Sequence, residues 1–498
     1  MTVTGDPPTQ PDERPSLTAR SSSGTLWTAI SLVAGKGIVA VSTVVLGRVL
    51  DADVFGLFGI GLLVIGYLEF FNNFGIASAV INLTGKDQRL ASIAFWVNMV
   101  LGVVMTAVTW LAAPFVADFF NENRATSIIR ALGFVFLIRS IGAVHDALLK
   151  RDLAMKPVTI AETIMAFSKA VLTIVLALIG FGVWSLVWGQ LVGALLGSLV
   201  FWVVNPWRPE RATAMTNPFG DSKQLLGFGS QMTLIDILGA LNKNVDYLFI
   251  GRAIGTTALG VYTMAFRLPE LLIDGINVVA AKVAFPLFSQ LQDQRDKGKL
   301  ALLKMLRLTS AVAVPTGVGL ALVAEPLVRA ALGDKWTQVD IGGQVVSTVD
   351  PLRWIALALT VTALTKNIGD LYKGYGRPGL LNIIGVVRIL FVIPLLIVAV
   401  RFGITGVAIA QLLAATVVSI AQVIIASRVV GLPLSDLVAP YRSPLISAAV
   451  MAAATWPVID LTAGWNAFAQ LVSLTIVGTV AYLATLVVVD RPLVNEGA

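Results

Sequence analysis

The chain has no cysteine and one histidine, His145, among its 498 residues. The first absence excludes a disulfide framework, a thiol nucleophile and thiolate metal sites. The second excludes an imidazole cluster, so neither a bound metal nor a cofactor is expected. Charge is scarce as well: 13% of residues are charged against 56% hydrophobic, with a mean hydropathy of +0.84. A soluble domain carries about twice that charge density. No Gly-rich phosphate loop follows a strand, which leaves ATP hydrolysis within the chain without support. What is present instead is a series of apolar runs of roughly 20 residues, each long enough to cross a hydrocarbon core of about 30 Å. The expected fold is all-α: a polytopic protein of the cell membrane.

Fourteen such runs, from 25–47 to 465–489, predict fourteen transmembrane helices. The eighth, 256–290, is long and interrupted by Pro269 and Pro286. With the N-terminus inside, loops and tails on the inner side carry twenty Lys or Arg residues against seven outside. That asymmetry places both termini in the cytoplasm. It also accounts for the formal charge of +7 without a nucleic-acid partner. Residues 1–24, polar and Pro-rich, are expected to be a disordered cytoplasmic tail with no cleavable signal peptide.

The sequence repeats itself. "VVLGRVLDADVFGLF" (44–58) aligns without a gap with "LFIGRAIGTTALGVY" (248–262), which puts Gly47-Arg48 on Gly251-Arg252 and Gly56 on Gly260. "FGVWSLVWGQLVGA" (181–194) aligns likewise with "FGITGVAIAQLLAA" (402–415), matching Gln190 with Gln411. Helices one to six therefore recur as seven to twelve in a parallel repeat, with two helices left over. The expected units are a six-helix lobe at 25–204, a cytoplasmic linker at 205–223 and a second lobe at 224–428. Two additional helices and a tail follow at 429–498. The repeated glycines read as close-packing points, and Arg48 and Arg252 as residues reaching for the outer headgroups.

These features resemble the multidrug/oligosaccharidyl-lipid/polysaccharide exporter superfamily. The closest likeness is to its polysaccharide branch, the Wzx-type exporters of O-antigen, exopolysaccharide or teichuronic acid. "LGRVLDADVFGLFGIGLLVIGYLEFFNNFGIASAVI" (46–81), "NKNVDYLFIGRAIGTTALGVYTMAFRLPE" (242–270) and "FPLFSQLQDQRDKGKL" (285–300) carry the resemblance. It implies two lobes around a cavity lined by helices one, two, seven and eight. It further implies alternating access that takes a polyprenyl-pyrophosphate-linked glycan from the inner to the outer leaflet. The implied partners are that lipid-linked glycan, the bilayer, and a glycan polymerase and glycosyltransferases.

Charges inside a bilayer cost about 2.5–3.5 kcal/mol each on insertion scales, so they should face a cavity or a partner. The four implied cavity helices hold Lys36, Glu69, Asp236, Lys243, Asp246, Arg267, Glu270, Asp274 and Lys282. Arg267, Glu270, Asp274 and Asn277 share one helical stripe. Lys36, Lys243 and Arg267 are candidates to hold a carrier phosphate. Glu69, Glu270, Asp274 and Asn277 complete the candidate substrate-binding set. Their bland alternative is ion pairing that only holds the lobes together, including Arg267 with Glu270 within one turn. Asp246 and Lys282 read as interfacial, and so does His145. Glu162, Lys169, Lys366, Asp370 and Arg388 read as pairing or snorkelling residues. The set holds four positive and five negative residues, which leaves cation coupling open.

Two other functions compete. A drug/cation antiporter of the same superfamily needs a compact site with several buried carboxylates in one lobe, and the first lobe offers mainly Glu69 and Glu162. A polytopic glycosyltransferase or polymerase needs a sizeable outer loop or soluble domain, and the breaks near 205–223 and 332–351 are too short. No catalytic residue is expected.

Overall fold

The computed structural model describes residues 35–73, 88–210, 239, 241–291, 294–377 and 379–490. Every expected apolar run has a helix there. The first half contains α1 (35–49), α2 (Ala52–Asn73), α3 (Gln88–Phe119), α4 (Ala125–Arg151), α5 (Met155–Leu178) and α6 (Val183–Val204). The second contains α7 (241–253), α8 (Thr256–Gln290), α9 (Arg295–Leu322), a short α10 (Ala324–Ala331), α11 (Val349–Gly374), α12 (Gly379–Ala399) and α13 (Gly403–Val430). Then come α14 (Leu434–Leu461) and α15 (Ala467–Val489). Among the described residues the one departure from helix is a hairpin, β1 (Val339–Ile341) with antiparallel β2 (Gln344–Val346). The 1–24 tail and residues 211–223 of the expected linker lie outside the described residues.

Among the described residues, nine stretches are long and apolar enough to span a membrane, one of them the 52 residues Gly379–Val430 that hold both α12 and α13. Helices α8 and α11 fall outside that set because charges interrupt them: Arg267, Glu270 and Asp274 on one, Lys366, Asp370 and Lys373 on the other. The expected interruption of the eighth helix does not occur. Helix α8 runs unbroken through Pro269 and Pro286 for 35 residues, about 52 Å at 1.5 Å per residue. Prolines are tolerated in such helices because neighbours satisfy the freed carbonyls.

Packing repeats as the sequence does. In the first half α3 lies on α4, α4 on α6, α5 on α6 and α2 on α4. In the second, α9 lies on α11, α11 on α13, α12 on α13 and α8 on α11. Helices α14 and α15 pack on each other and on α9. The shared "FG" corner keeps its backbone: Gly182 opens α6 at φ 54° and Gly403 opens α13 at φ 72°, both left-handed, which favours glycine.

The other repeated glycines bring the halves together. A methyl built on Gly56 would overlap the carbonyl of Thr256, and one on Gly260 would overlap that of Ala52. The contact is reciprocal, because Ala52 and Thr256 are themselves equivalent positions. Helices α2 and α8 thus cross backbone to backbone. Around the crossing, one core joins both halves through Leu46, Phe55 and Phe58 with Leu259, Tyr262 and Trp336. At the opposite end each half keeps its own core among the described residues: Phe95, Val144 and Leu148 in one, Phe288, Leu306 and Tyr372 in the other. Among the described residues, the halves thus share one core at the crossing and keep separate cores at the other end.

Candidate functional site

A cavity of about 330 Å³ lies beside the α2–α8 crossing, walled by α1, α2, α4, α5, α6 and α8. Three cations line it, Arg139, Lys169 and Arg267, and among the described residues no carboxylate does. Each cation is set by close helix packing. Gly189, Gly193 and Gly197 form a small-residue ridge on α6, against which Thr173, Lys169 and Met165 of α5 come within a methyl's reach. Arg139 stands on α4, which Ser198 and Trp202 tie to α6 by donating to the carbonyls of Ile138 (2.9 Å) and Ile141 (2.7 Å). Arg267 stands on α8, two turns beyond the crossing. Lys169 is half-buried, and its charged neighbours are Arg267 and Arg139.

The candidate residues sort differently from the sequence expectation. Lys243 Nζ lies 2.9 Å from Glu270 Oε1, and Arg267 reaches the other oxygen of the same carboxylate at 3.5 Å. Glu69 pairs with Arg139 across α2 and α4. Asp274 faces Lys366 of α11 at 3.8 Å. Lys36 turns to α8, its Nζ 3.5 Å from the Leu271 carbonyl. Asn277 is 7% exposed, and its Oδ1 has no hydrogen-bond partner among the described residues. Of the three cations expected to hold a phosphate, Arg267 alone lines the cavity, and Lys243 is committed to Glu270. Ion pairing is therefore present, and it takes in two of the three cavity cations, Arg139 through Glu69 and Arg267 through Glu270, which leaves Lys169 as the cavity cation without a carboxylate partner among the described residues.

Several other expectations change. Asp246 is fully buried and accepts a 2.7 Å bond from the Tyr262 hydroxyl, so it is not interfacial. The side chains of Asp236 and Lys282 lie outside the described residues. His145 is fully buried in an aromatic cage of Phe95, Trp202 and Trp207, which holds the segment after α6 against α4. Glu162 and Lys150 approach to 4.0 Å and Asp370 and Lys373 to 3.4 Å, while Arg388 donates to Gln411 at 3.5 Å. Arg48 does not reach outward: it donates to the carbonyls of Ala330 and Ala331, capping the end of α10. Arg252 lies 5.9 Å from the Phe119 ring centroid.

The end where the halves fuse is also latched by polar contacts. The Trp336 indole donates to Gly47 O at 2.7 Å and Lys335 to Leu50 O at 2.8 Å. Arg124 holds Asp53 (2.9 Å) and Glu122 (2.7 Å), and the Thr256 hydroxyl donates to Glu122 at 3.1 Å. The Arg124 hydrogen bond is the main reason the Glu122 carboxyl sits below its ordinary pKa.

A second cavity, about 530 Å³, opens between α9 and the two additional helices. Its walls are almost wholly apolar: Leu272, Val312, Leu327, Leu474 and Leu483 face it, and the Tyr482 hydroxyl is occupied in donating to Ala311 O at 2.8 Å.

Comparison with known proteins fits this architecture. The polysaccharide biosynthesis protein family matches residues 45–340. The chain is 26% identical over 340 residues to the lipopolysaccharide biosynthesis protein WzxC of Escherichia coli (strain K12), covering 68% of each. It is 24% identical over 371 residues to the teichuronic acid biosynthesis protein TuaB of Bacillus subtilis (strain 168), covering 74% of each. Among solved structures, the lipid II flippase MurJ in its inward closed conformation superposes with a TM-score of 0.74. That match covers 95% of this chain and all of the other at 15% identity, a likeness of fold.

Proposed function

The chain belongs to the polysaccharide biosynthesis protein family, and from that premise we propose that it carries lipid-linked glycan precursors across the cell membrane by alternating access. The observation that carries this is the cavity lined by Arg139, Lys169 and Arg267 with no described carboxylate, next to a one-ended closure of the two halves. A pyrophosphate brings multiple acceptor oxygens and negative charge. Arginine forks and an ammonium in low dielectric hold such a group through charge-assisted bonds of about 1.5–3 kcal/mol each. Lys169, which has no acidic neighbour among the described residues, is the natural first contact. The apolar cavity at α9, α14 and α15 has the chemistry for the prenyl chain, so that head and tail are held by different parts of the fold.

In this reading the fused end faces outward and both termini lie in the cytoplasm, as the basic-residue asymmetry requires. In the same reading, substrate enters from the inner leaflet. Transfer then needs the fused core and its latch to part while the two inner cores meet, with 25–204 and 224–428 moving as units. The chain acts as a transporter without catalysis, and the polymerase and glycosyltransferases of the same glycan act before and after it. The antiporter reading would need carboxylates free to take a cation. Glu69, Glu270 and Asp274 are instead each engaged by a basic side chain.

The test is glycan output at the cell surface, normalised to the amount of protein in the membrane. Lys169→Ala, Arg139→Gln and Arg267→Ala should each lower it at least tenfold, the scale of one lost charge-assisted bond. Normal output from Lys169→Ala at wild-type abundance would overturn the pyrophosphate assignment.

A further inference from the structure

We infer that a third cavity, set in the second half of the chain, is the recognition site for a sugar residue of the cargo. It measures about 310 Å³ and lies between α7, α11, α12 and α13. That is the small end of the range for ligand sites, about 300–1,000 Å³, with room for a sugar residue rather than a long glycan. The inference rests on the transport reading above and adds where the glycan itself is read.

The wall is polar but electrically tied off. Lys366 faces Asp274, Lys373 faces Asp370, and Arg388 lies within Coulombic reach of the buried Asp246. A site balanced in this way has no strong preference for an anion or a cation. It presents fixed donors and acceptors, which is what a neutral polyhydroxyl ligand needs. Thr365 and Ser419 meet across the wall at 3.1 Å, each with a hydroxyl that can exchange this bond for one to a ligand.

Asp370 supplies the independent sign of a missing ligand. It lines the cavity, is 5% exposed, and uses one carboxylate oxygen toward Lys373. The other oxygen has no hydrogen-bond partner among the described residues. A buried carboxylate oxygen left unpaired costs free energy, and a turn of the carboxylate toward the cavity would let a sugar hydroxyl donate to it.

Position links this cavity to the cationic one. Helix α8 carries Arg267 in the cationic wall and Asp274, seven residues later, against Lys366 of the sugar wall. Seven residues span about 10 Å along a helix, a short step from a pyrophosphate to the sugars attached to it. Lys243 and Asn242 make a second bridge: the first holds Glu270 on the stripe, and the second lines the sugar cavity.

Calorimetry on the purified full chain tests this with four soluble probes: farnesyl pyrophosphate and its glucosyl, galactosyl and N-acetylglucosaminyl adducts. At least one adduct should bind the wild type about tenfold more tightly than the bare carrier. Asp370→Asn and Thr365→Val should bring that ratio to about one while the bare carrier still binds within about twofold of wild type. Lys169→Ala should instead weaken carrier and adducts alike. A wild type with no preference for any adduct, or a preference that survives both Asp370→Asn and Thr365→Val, overturns the sugar site. Failure of the bare carrier to bind overturns the pyrophosphate assignment, and an adduct preference that persists in that case leaves the sugar site standing.

Discussion

Adding one methyl at the crossing of the halves should push the transporter open at that end. In Gly56→Ala the new carbon overlaps the Thr256 carbonyl and comes within 3.0 Å of the Gly260 nitrogen. Gly260→Ala does the same to Ala52, reaching 2.9 Å from the Gly56 nitrogen. These are backbone atoms and cannot rotate away, so α2 and α8 must separate. Overpacking of this kind costs about 1–3 kcal/mol, which is about 5- to 150-fold on the balance between closed and open forms. Gly59→Ala is the control: its methyl meets only Leu259 and Thr263 side chains, at 3.8 Å. Since the chain has no cysteine, Thr263→Cys gives a single reporter in the cationic cavity. An impermeant maleimide applied to intact cells should label it about 5- to 150-fold faster in Gly56→Ala and Gly260→Ala, and at the parent rate in Gly59→Ala. Equal rates in all variants at equal abundance would refute the closure. So would loss of the protein from the membrane, because the cost would then fall on the fold rather than on one state.

Further outcomes follow from the pairings. Glu270 has two cations, so Arg267→Ala leaves Lys243 at 2.9 Å and should lower export without lowering protein level; a fall in level restored by Glu270→Gln would make the residue structural. At Gly319, which lines the apolar cavity, a Cβ has nothing within 4 Å. Gly319→Phe should therefore fill the groove without strain and cut export at unchanged abundance, measured as surface glycan per membrane protein. Glu122 has a depressed pKa in the latched form, so its contribution is present above the ordinary carboxyl value of 4.5 and lost only as pH falls through the depressed one. Labelling of the Thr263→Cys reporter, divided by that of a free cysteine at the same pH to remove the thiolate dependence, should thus be constant between about pH 6 and 8, and a rise in that ratio would assign the latch to another group. Cysteine placed at Arg151 or Lys297 should resist an impermeant reagent in intact cells, and labelling at both would reverse the orientation.

Much of the fold was legible because water-to-lipid transfer makes a helix in a membrane nearly a matter of length and composition. The glycine repeat was legible for a related reason: backbone-to-backbone contact tolerates no side chain, so Gly56 and Gly260 mark the crossing from either half. The partners of the charges were not legible, since periodicity tells which face of a helix a residue occupies and not which helix it meets. Lys243 shares a turn with Asp246 and yet pairs with Glu270, while Asp246 goes to Tyr262. Arg139 and Lys169 stand on α4 and α5, outside the four helices that the family resemblance implies as cavity walls, so the resemblance does not point to them. A signal existed: neither has a carboxylate three or four residues away, so neither can be neutralised on its own helix. Lys36 and Arg388 share that trait, and like Arg139 they are met by partners from other helices.

The central claim is that this chain moves a pyrophosphate-linked glycan through a cationic cavity. The direct measurement uses the purified full chain in sealed vesicles with a fluorescent prenyl-pyrophosphoryl sugar, reading the fraction protected from an impermeant quencher over time. Wild-type protein should exchange the probe between leaflets, and the folded triple variant Arg139→Gln, Lys169→Ala, Arg267→Ala should match protein-free vesicles. Exchange by the triple variant at the wild-type rate, or wild-type vesicles no faster than empty ones, would contradict it.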